Sequence, residues 1–168
     1  MVIDLPDHKI KSSNQSSAQN TFAVVSRLVP GYKSYAEKEN LRINDTLIRR
    51  RSEDILKVVR GLLERKKSDL LEKQQFEVLS RVSRVADRCL LVENTCQSMV
   101  RGYSALFETK EVNVTLLEQI LNSDRQLVES ASRMEGLAES EIGEDTLSEI
   151  NNALDQCEKV LRARTILL

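Results

Sequence analysis

Within its 168 residues the chain has no Trp, a single His, two Pro and five Gly, and aromatic side chains make up 4% of it. So few backbone breakers argue against a turn-rich sheet protein and for long helices. The one histidine, His8, excludes the paired Glu-x-x-His ligands of a di-metal bundle, and nucleophilic catalysis through Cys would need a base and an exposed low-pKa thiol, whereas Cys89 and Cys96 point inward. The three cysteines, Cys89, Cys96 and Cys157, form an odd set without zinc-ligand spacing. They are expected to be small buried hydrophobes in a reducing compartment. No apolar run approaches the roughly 20 residues of a membrane span. The opening Met-Val-Ile-Asp-Leu-Pro-Asp lacks the basic and apolar regions of a secretory leader, so a cytoplasmic location is expected.

What is present is helical periodicity. Leu79, Val82, Ala86, Cys89, Cys96, Val100, Tyr103 and Phe107 recur at steps of three and four, interrupted by Glu93. A flanking row at intervals of seven, Val78, Val85, Val92, Met99 and Leu106, widens that face until it has to meet other helices. Upstream, Leu41, Ile48, Ile55 and Leu62 mark a second long helix whose stripe is diluted by Asn44 and Ser52. The spacing predicts long helices over about Tyr32 to Lys66 and Asp69 to Phe107, with the cations Arg65, Lys66 and Lys67 closing the first and Asp69 capping the second.

Three shorter helices complete the pattern. One follows from Phe22, Val25 and Leu28 or Val29 and is stopped by Pro30-Gly31. Another carries Leu117, Ile120, Leu127, Val128, Ala131, Met134 and Leu137. The last carries Leu147, Ile150, Leu154, Cys157 and Leu161, with Thr146 and Glu149 at capping-box spacing. Residues 1–20, rich in Ser, Asn and Gln, are expected to form a mobile polar tail ahead of a single domain over 21–168. The fold class is therefore all-α, an antiparallel helical bundle with two long and three shorter helices.

Charge is segregated. Residues 33–73 hold 12 Lys and Arg against 8 Asp and Glu, whereas residues 108–159 hold 4 against 13. Opposed halves of this kind align helices, orient partners or steer charged ligands. The sharpest basic feature is Arg49-Arg50-Arg51, whose guanidiniums fan over most of a helical turn, so that at least one faces away from the core and offers forked donors to an anion. Nucleic acid is disfavoured by a pI near 6.0 and by the lack of stacking aromatics.

Glu93 and Asp124 fall on apolar stripes, where an unpaired carboxylate is costly; each is expected to meet an arginine across the bundle or to lie at a rim. Glu93 is assigned to a basic residue of the long second helix, and both carboxylates are candidates for fixing helix register. Exposed i,i+4 pairs such as Asp45 with Arg49 and Glu53 with Lys57 are worth only a few tenths of a kcal/mol each. Tyr32 and Tyr35 follow Pro30-Gly31, while Tyr103 and Phe107 follow Gly102. An antiparallel hairpin hinged near residue 68 brings the two groups together as a core plug or a small pocket.

The segments Pro30-Gly31-Tyr32-Lys33-Ser34-Tyr35 and Gly102-Tyr103-Ser104-Ala105-Leu106-Phe107, with Glu39, Arg42, Asp45 and Arg49 to Arg51 between them, are similar to a group of uncharacterised bacterial helical proteins. The likeness spans about residues 25–135, implies a bacterial-type cytoplasmic bundle and carries no activity. Without a catalytic constellation, metal ligands or a cofactor loop, the sequence points to a non-catalytic protein-interaction module: a scaffold, adaptor or regulatory subunit. Self-association through the second helix is one form of it. Two alternatives are an anion or membrane-surface binder acting through Arg49 to Arg51, and a small-ligand sensor at the tyrosine-rich end.

Overall fold

Side chains recurring at three and four residues give each helix one dry face, and the chain closes these faces on one another. The computed structural model describes residues 7–33, 38–98 and 114–167, with side chains for 17–33, 43–98 and 115–164. Among them are five helices and no strand: α1 (Asp7–Leu28), α2 (Lys38–Glu72), α3 (Phe76–Ser98), α4 (Val114–Glu139) and α5 (Glu144–Leu167). Helix α2 packs on α3 and α4, α5 packs on the same two, and α1 lies against α4.

Cross-helix contacts give the directions. Arg60 meets Glu93 and Gln97 meets Glu53, so α2 and α3 are antiparallel. Arg164 meets Asp124 and Arg133 meets Glu149, so α4 and α5 are too. Arg81 reaches Glu144 and Arg88 reaches Asp155, which sets α3 parallel to α5. The core between them holds Ile48, Ile55, Leu56 and Leu63 of α2 with Val82, Cys89 and Val92 of α3. Leu127, Val128, Ala131 and Met134 of α4 and Ile150, Leu154, Cys157 and Leu161 of α5 complete it.

The α2–α3 hairpin corrects the expected hinge. Helix α2 continues past Lys66 to Glu72 and stops where Gln74 adopts φ 53°. Gln75 N–H donates to Leu70 O (2.9 Å) and Gln74 N–H to Leu71 O (3.1 Å), the pair of bonds that closes a Schellman C-terminus. A glutamine therefore does what glycine usually does, and no Gly or Pro marked the site in the sequence. The later hinge moves the α2–α3 register by roughly four to five helical turns. Of the residues named for the aromatic end, Tyr35, Gly102, Tyr103 and Phe107 lie outside the described residues, as does residue 104, expected opposite Tyr32.

Left-handed backbone costs a residue with a Cβ about 1–2 kcal/mol, part of which glycine returns as unfolded-state entropy. Gln74→Gly is thus expected to stabilise the chain by about 0.5–1 kcal/mol, read as a higher urea midpoint at unchanged slope. An unchanged or lower midpoint would contradict this geometry.

Two helix starts also differ from expectation. Helix α1 begins at Asp7, not near Phe22, so most of the stretch read as a polar tail enters it. Ala18, Thr21 and Val25, at steps of three and four, continue the helical spacing upstream of Phe22. In α5 the first helical bond runs from Leu147 N–H to Gly143 O, 3.0 Å, which makes Gly143 the cap. Thr146 sits inside the first turn and donates back to Glu141 O at 3.1 Å.

Candidate functional site

The turn between α1 and α2 is built for one conformation. Val29-Pro30-Gly31-Tyr32 closes through Tyr32 N–H to Val29 O (3.2 Å), and Gly31 has φ 86°, the third position of a type II turn with Pro in the second. This aims Tyr32 inward, where it is buried and its ring stands 5.8 Å from that of Phe22. Asn44 of α2 then clasps the backbone beyond the turn, accepting from Lys33 N–H (2.9 Å) and donating to Lys33 O (2.7 Å). The polar position that diluted the α2 stripe is fully buried and holds the loop in place.

Tyr32 opens onto a buried ionic cluster. Its hydroxyl donates to Asp124 Oδ2 of α4 at 2.7 Å. Asp124 Oδ1 accepts from Nη1 of Arg164, near the end of α5, and Arg164 Nη2 donates to Asp45 Oδ1 of α2 at 2.8 Å. Arg49 grips the other oxygen of Asp45 through Nε (2.9 Å) and Nη2 (2.8 Å). Asp124 and Arg164 are 1% and 2% exposed, so these charges meet with almost no water between them. One guanidinium thus joins α2, α4 and α5 and, through Tyr32, the α1–α2 turn. Among the described residues two carboxylates meet two guanidiniums, and the forked donors of arginine suit two acids at once.

Buried ion pairs seldom out-stabilise apolar residues of the same volume, yet removing one member leaves an uncompensated charge. A cluster of this kind is expected to specify how the helices meet more than to raise stability. The cluster also corrects the reading of Asp45 and Arg49 as an exposed i,i+4 pair: Asp45 is 5% exposed.

Glu93 is the second buried carboxylate off the stripe pattern. It accepts from Arg60 Nε of α2 at 3.1 Å, with Arg60 partly exposed at the rim. Of the two alternatives for Glu93 and Asp124, each meets an arginine from another helix. Of the basic run, Arg49 is committed to Asp45 and Arg51 donates to Leu28 O at 3.2 Å. Arg50 is exposed and makes no hydrogen bond or ion pair among the described residues.

All three thiols are free and buried. Burial pushes each up to about 12, against small opposing pulls from Arg88 and Arg60 at Cys89. They stay protonated and are poor nucleophiles. No group of three or more His, Cys, Asp or Glu among the described residues could hold a metal ion, and none of the described helices is long and apolar enough to cross a membrane.

Arg164 was absent from the sequence-based candidates, although a signal for it existed. The α5 stripe Ile150, Leu154, Cys157, Leu161 steps by four, three and four, and the next step of three is Arg164. A cation at an apolar position of one helix, with Asp45 and Asp124 at such positions on two others, is a matched set. No protein-family model, curated protein or solved structure matches the chain.

Proposed function

We propose that the protein is a non-catalytic interaction module whose contact element is the water-facing side of the α2–α3 hairpin. One asymmetry carries this reading. The large apolar side chains left exposed among the described residues, Val58, Leu71, Phe76, Leu90 and Leu91, all belong to that hairpin, with Phe76 at 61% and Leu91 at 62%. Scattered singly such side chains are ordinary; gathered on one hairpin they are the composition of a contact surface. The rest of the bundle meets water through polar and charged groups, many of them in ion pairs such as Arg125 with Glu129 and Arg133 with Glu149.

This relocates the nominated face of α2. Asn44 and Ser52, the positions that suggested loose packing, point into the bundle, and Ser52 Oγ finds no hydrogen-bond partner among the described residues. Contact is expected instead from the opposite edge of the hairpin.

Photo-crosslinking in the native cell tests the reading. A benzophenone side chain at position 76 or 91 of the full chain is expected to give a discrete protein adduct that position 159 on α5 does not. Phe76→Glu with Leu91→Glu should weaken that association at least tenfold while the helical circular dichroism and Tm hold. A self-adduct would identify the partner as a second copy. Adducts from α5 alone, or association indifferent to the two glutamates, would overturn the proposal.

A further inference from the structure

We infer that the groove between α3 and α5 receives a partner segment presenting one carboxylate and, about 10 Å along, an apolar side chain. This rests on the interaction-module reading and adds the chemistry of what is bound. The groove encloses about 440 Å³ and is floored in part by Val85 and Leu147. Along its α3 wall stand Arg81, Arg84 and Arg88.

The outer two guanidiniums are already occupied. Arg81 binds Glu77 and Glu144 at 2.8 and 2.7 Å. Arg88 binds Asp155 at 2.6 Å, Glu158 at 3.1 Å and the Asn151 side-chain carbonyl at 2.8 Å. Each shows the group such a guanidinium takes in this setting: a carboxylate. Arg84, between them, is exposed and has no hydrogen bond or ion pair among the described residues. Its neighbours four residues away on the helix, Ser80 and Arg88, offer no carboxylate, and the α5 side opposite presents Ser148 and Asn152.

Local charge limits the occupant. Glu77 and Glu144 on Arg81, and Asp155 and Glu158 on Arg88, bring four carboxylates to the groove, so a phosphate dianion would meet more repulsion than a single carboxylate, for which Arg84 supplies the matching charge. The apolar half of the match is Leu91. It lies seven residues beyond Arg84, two turns along the same side of α3 and about 10 Å away, and it is the most exposed large apolar side chain described. A Glu-x-x-Leu segment in the polyproline II conformation has this spacing, because three residues make one turn at roughly 3.1 Å per residue and both side chains fall on one face.

The test uses the full chain labelled with nitrogen-15 and three probes: capped Glu-Ala-Ala-Leu, capped Gln-Ala-Ala-Leu and inorganic phosphate. The acidic peptide is expected to produce saturable shifts at Arg84, Leu91 and Asn152, and the glutamine peptide to bind at least tenfold more weakly. Arg84→Gln, an exposed change that leaves the core intact, should reduce the acidic peptide to the level of its glutamine counterpart. Equal affinity of the two peptides, lack of saturation, indifference to Arg84→Gln, or tighter binding of phosphate than of peptide would each overturn the inference. Were cellular association to depend on Leu91 and not on Arg84, the hairpin proposal would stand and this one would fall.

Discussion

Replacing Arg164 by Met is expected to destabilise the protein by about 3–5 kcal/mol, more than most single core truncations. Met fills similar volume and leaves Asp45 and Asp124 buried beside each other without the cation that separates their charges. Asp45 retains Arg49, and Asp124 keeps the Tyr32 hydroxyl among its contacts. Adding Asp124→Asn to Arg164→Met should recover about half of the loss, because a neutral amide still accepts from Tyr32 and repels nothing. Urea unfolding of the two variants beside the parent gives the measurement. A single variant within 1 kcal/mol of the parent would show that the cluster is not the closed, dry assembly described.

Stability is also expected to fall steeply above pH 9. Each thiol has its ordinary value of 9.0 when unfolded and is pushed up to about 12 in the fold, chiefly by burial. Between those limits the folded chain holds protons that the unfolded chain releases, so unfolding becomes more favourable as pH rises. The contribution is fully present below 9 and is lost progressively above it. With three thiols the loss is roughly 4 kcal/mol at pH 10, a large share of an ordinary domain's stability. Other groups titrate in that range, so the comparison is one of slopes. A Cys89→Ala, Cys96→Ala, Cys157→Ala variant should be less stable at pH 7 and lose much less between pH 8 and 10. Parallel slopes for variant and parent would contradict the burial of the thiols.

The parts of this fold that the sequence makes legible are those governed by repetition. Rows such as Leu147, Ile150, Leu154, Cys157 and Leu161 repeat often enough that one exception does not hide them, and a charge inside such a row, Glu93 or Asp124, stands out against its neighbours. Single residues acting against their usual chemistry are harder to see. Gln74 ends a helix in the backbone region that glycine favours, and the cations Arg65 to Lys67, which suit a helix end, lie inside α2. Asp45 and Arg49 have the spacing of a surface pair; that they are drawn inward depends on Arg164, 119 positions from Asp45 in the chain. Burial of a charge is decided by its partner, and the partner's helix carries no mark of which helix it will meet. The start of α1 was obscured for a related reason: its side chains are small and mixed, and a row such as Ala18, Thr21 and Val25 shows little contrast with the polar residues around it.

The pairing across helices also connects stability to use. The cluster of Asp45, Arg164 and Asp124 fixes α2 against α4 and α5, and the hairpin that presents Phe76 and Leu91 to water is built on α2. Loosening the buried end is therefore expected to blur the contact surface before it unfolds the chain.

The most direct measurement is a double-mutant cycle on Asp124→Asn and Arg164→Gln, read from urea unfolding at neutral pH. A closed buried pair predicts a coupling of about 2 kcal/mol or more, since each buried charge loses its opposite charge across the helices when the other is neutralised. A coupling below about 0.5 kcal/mol, the size found for pairs open to water, would show that the two helices are not locked to each other through this arginine.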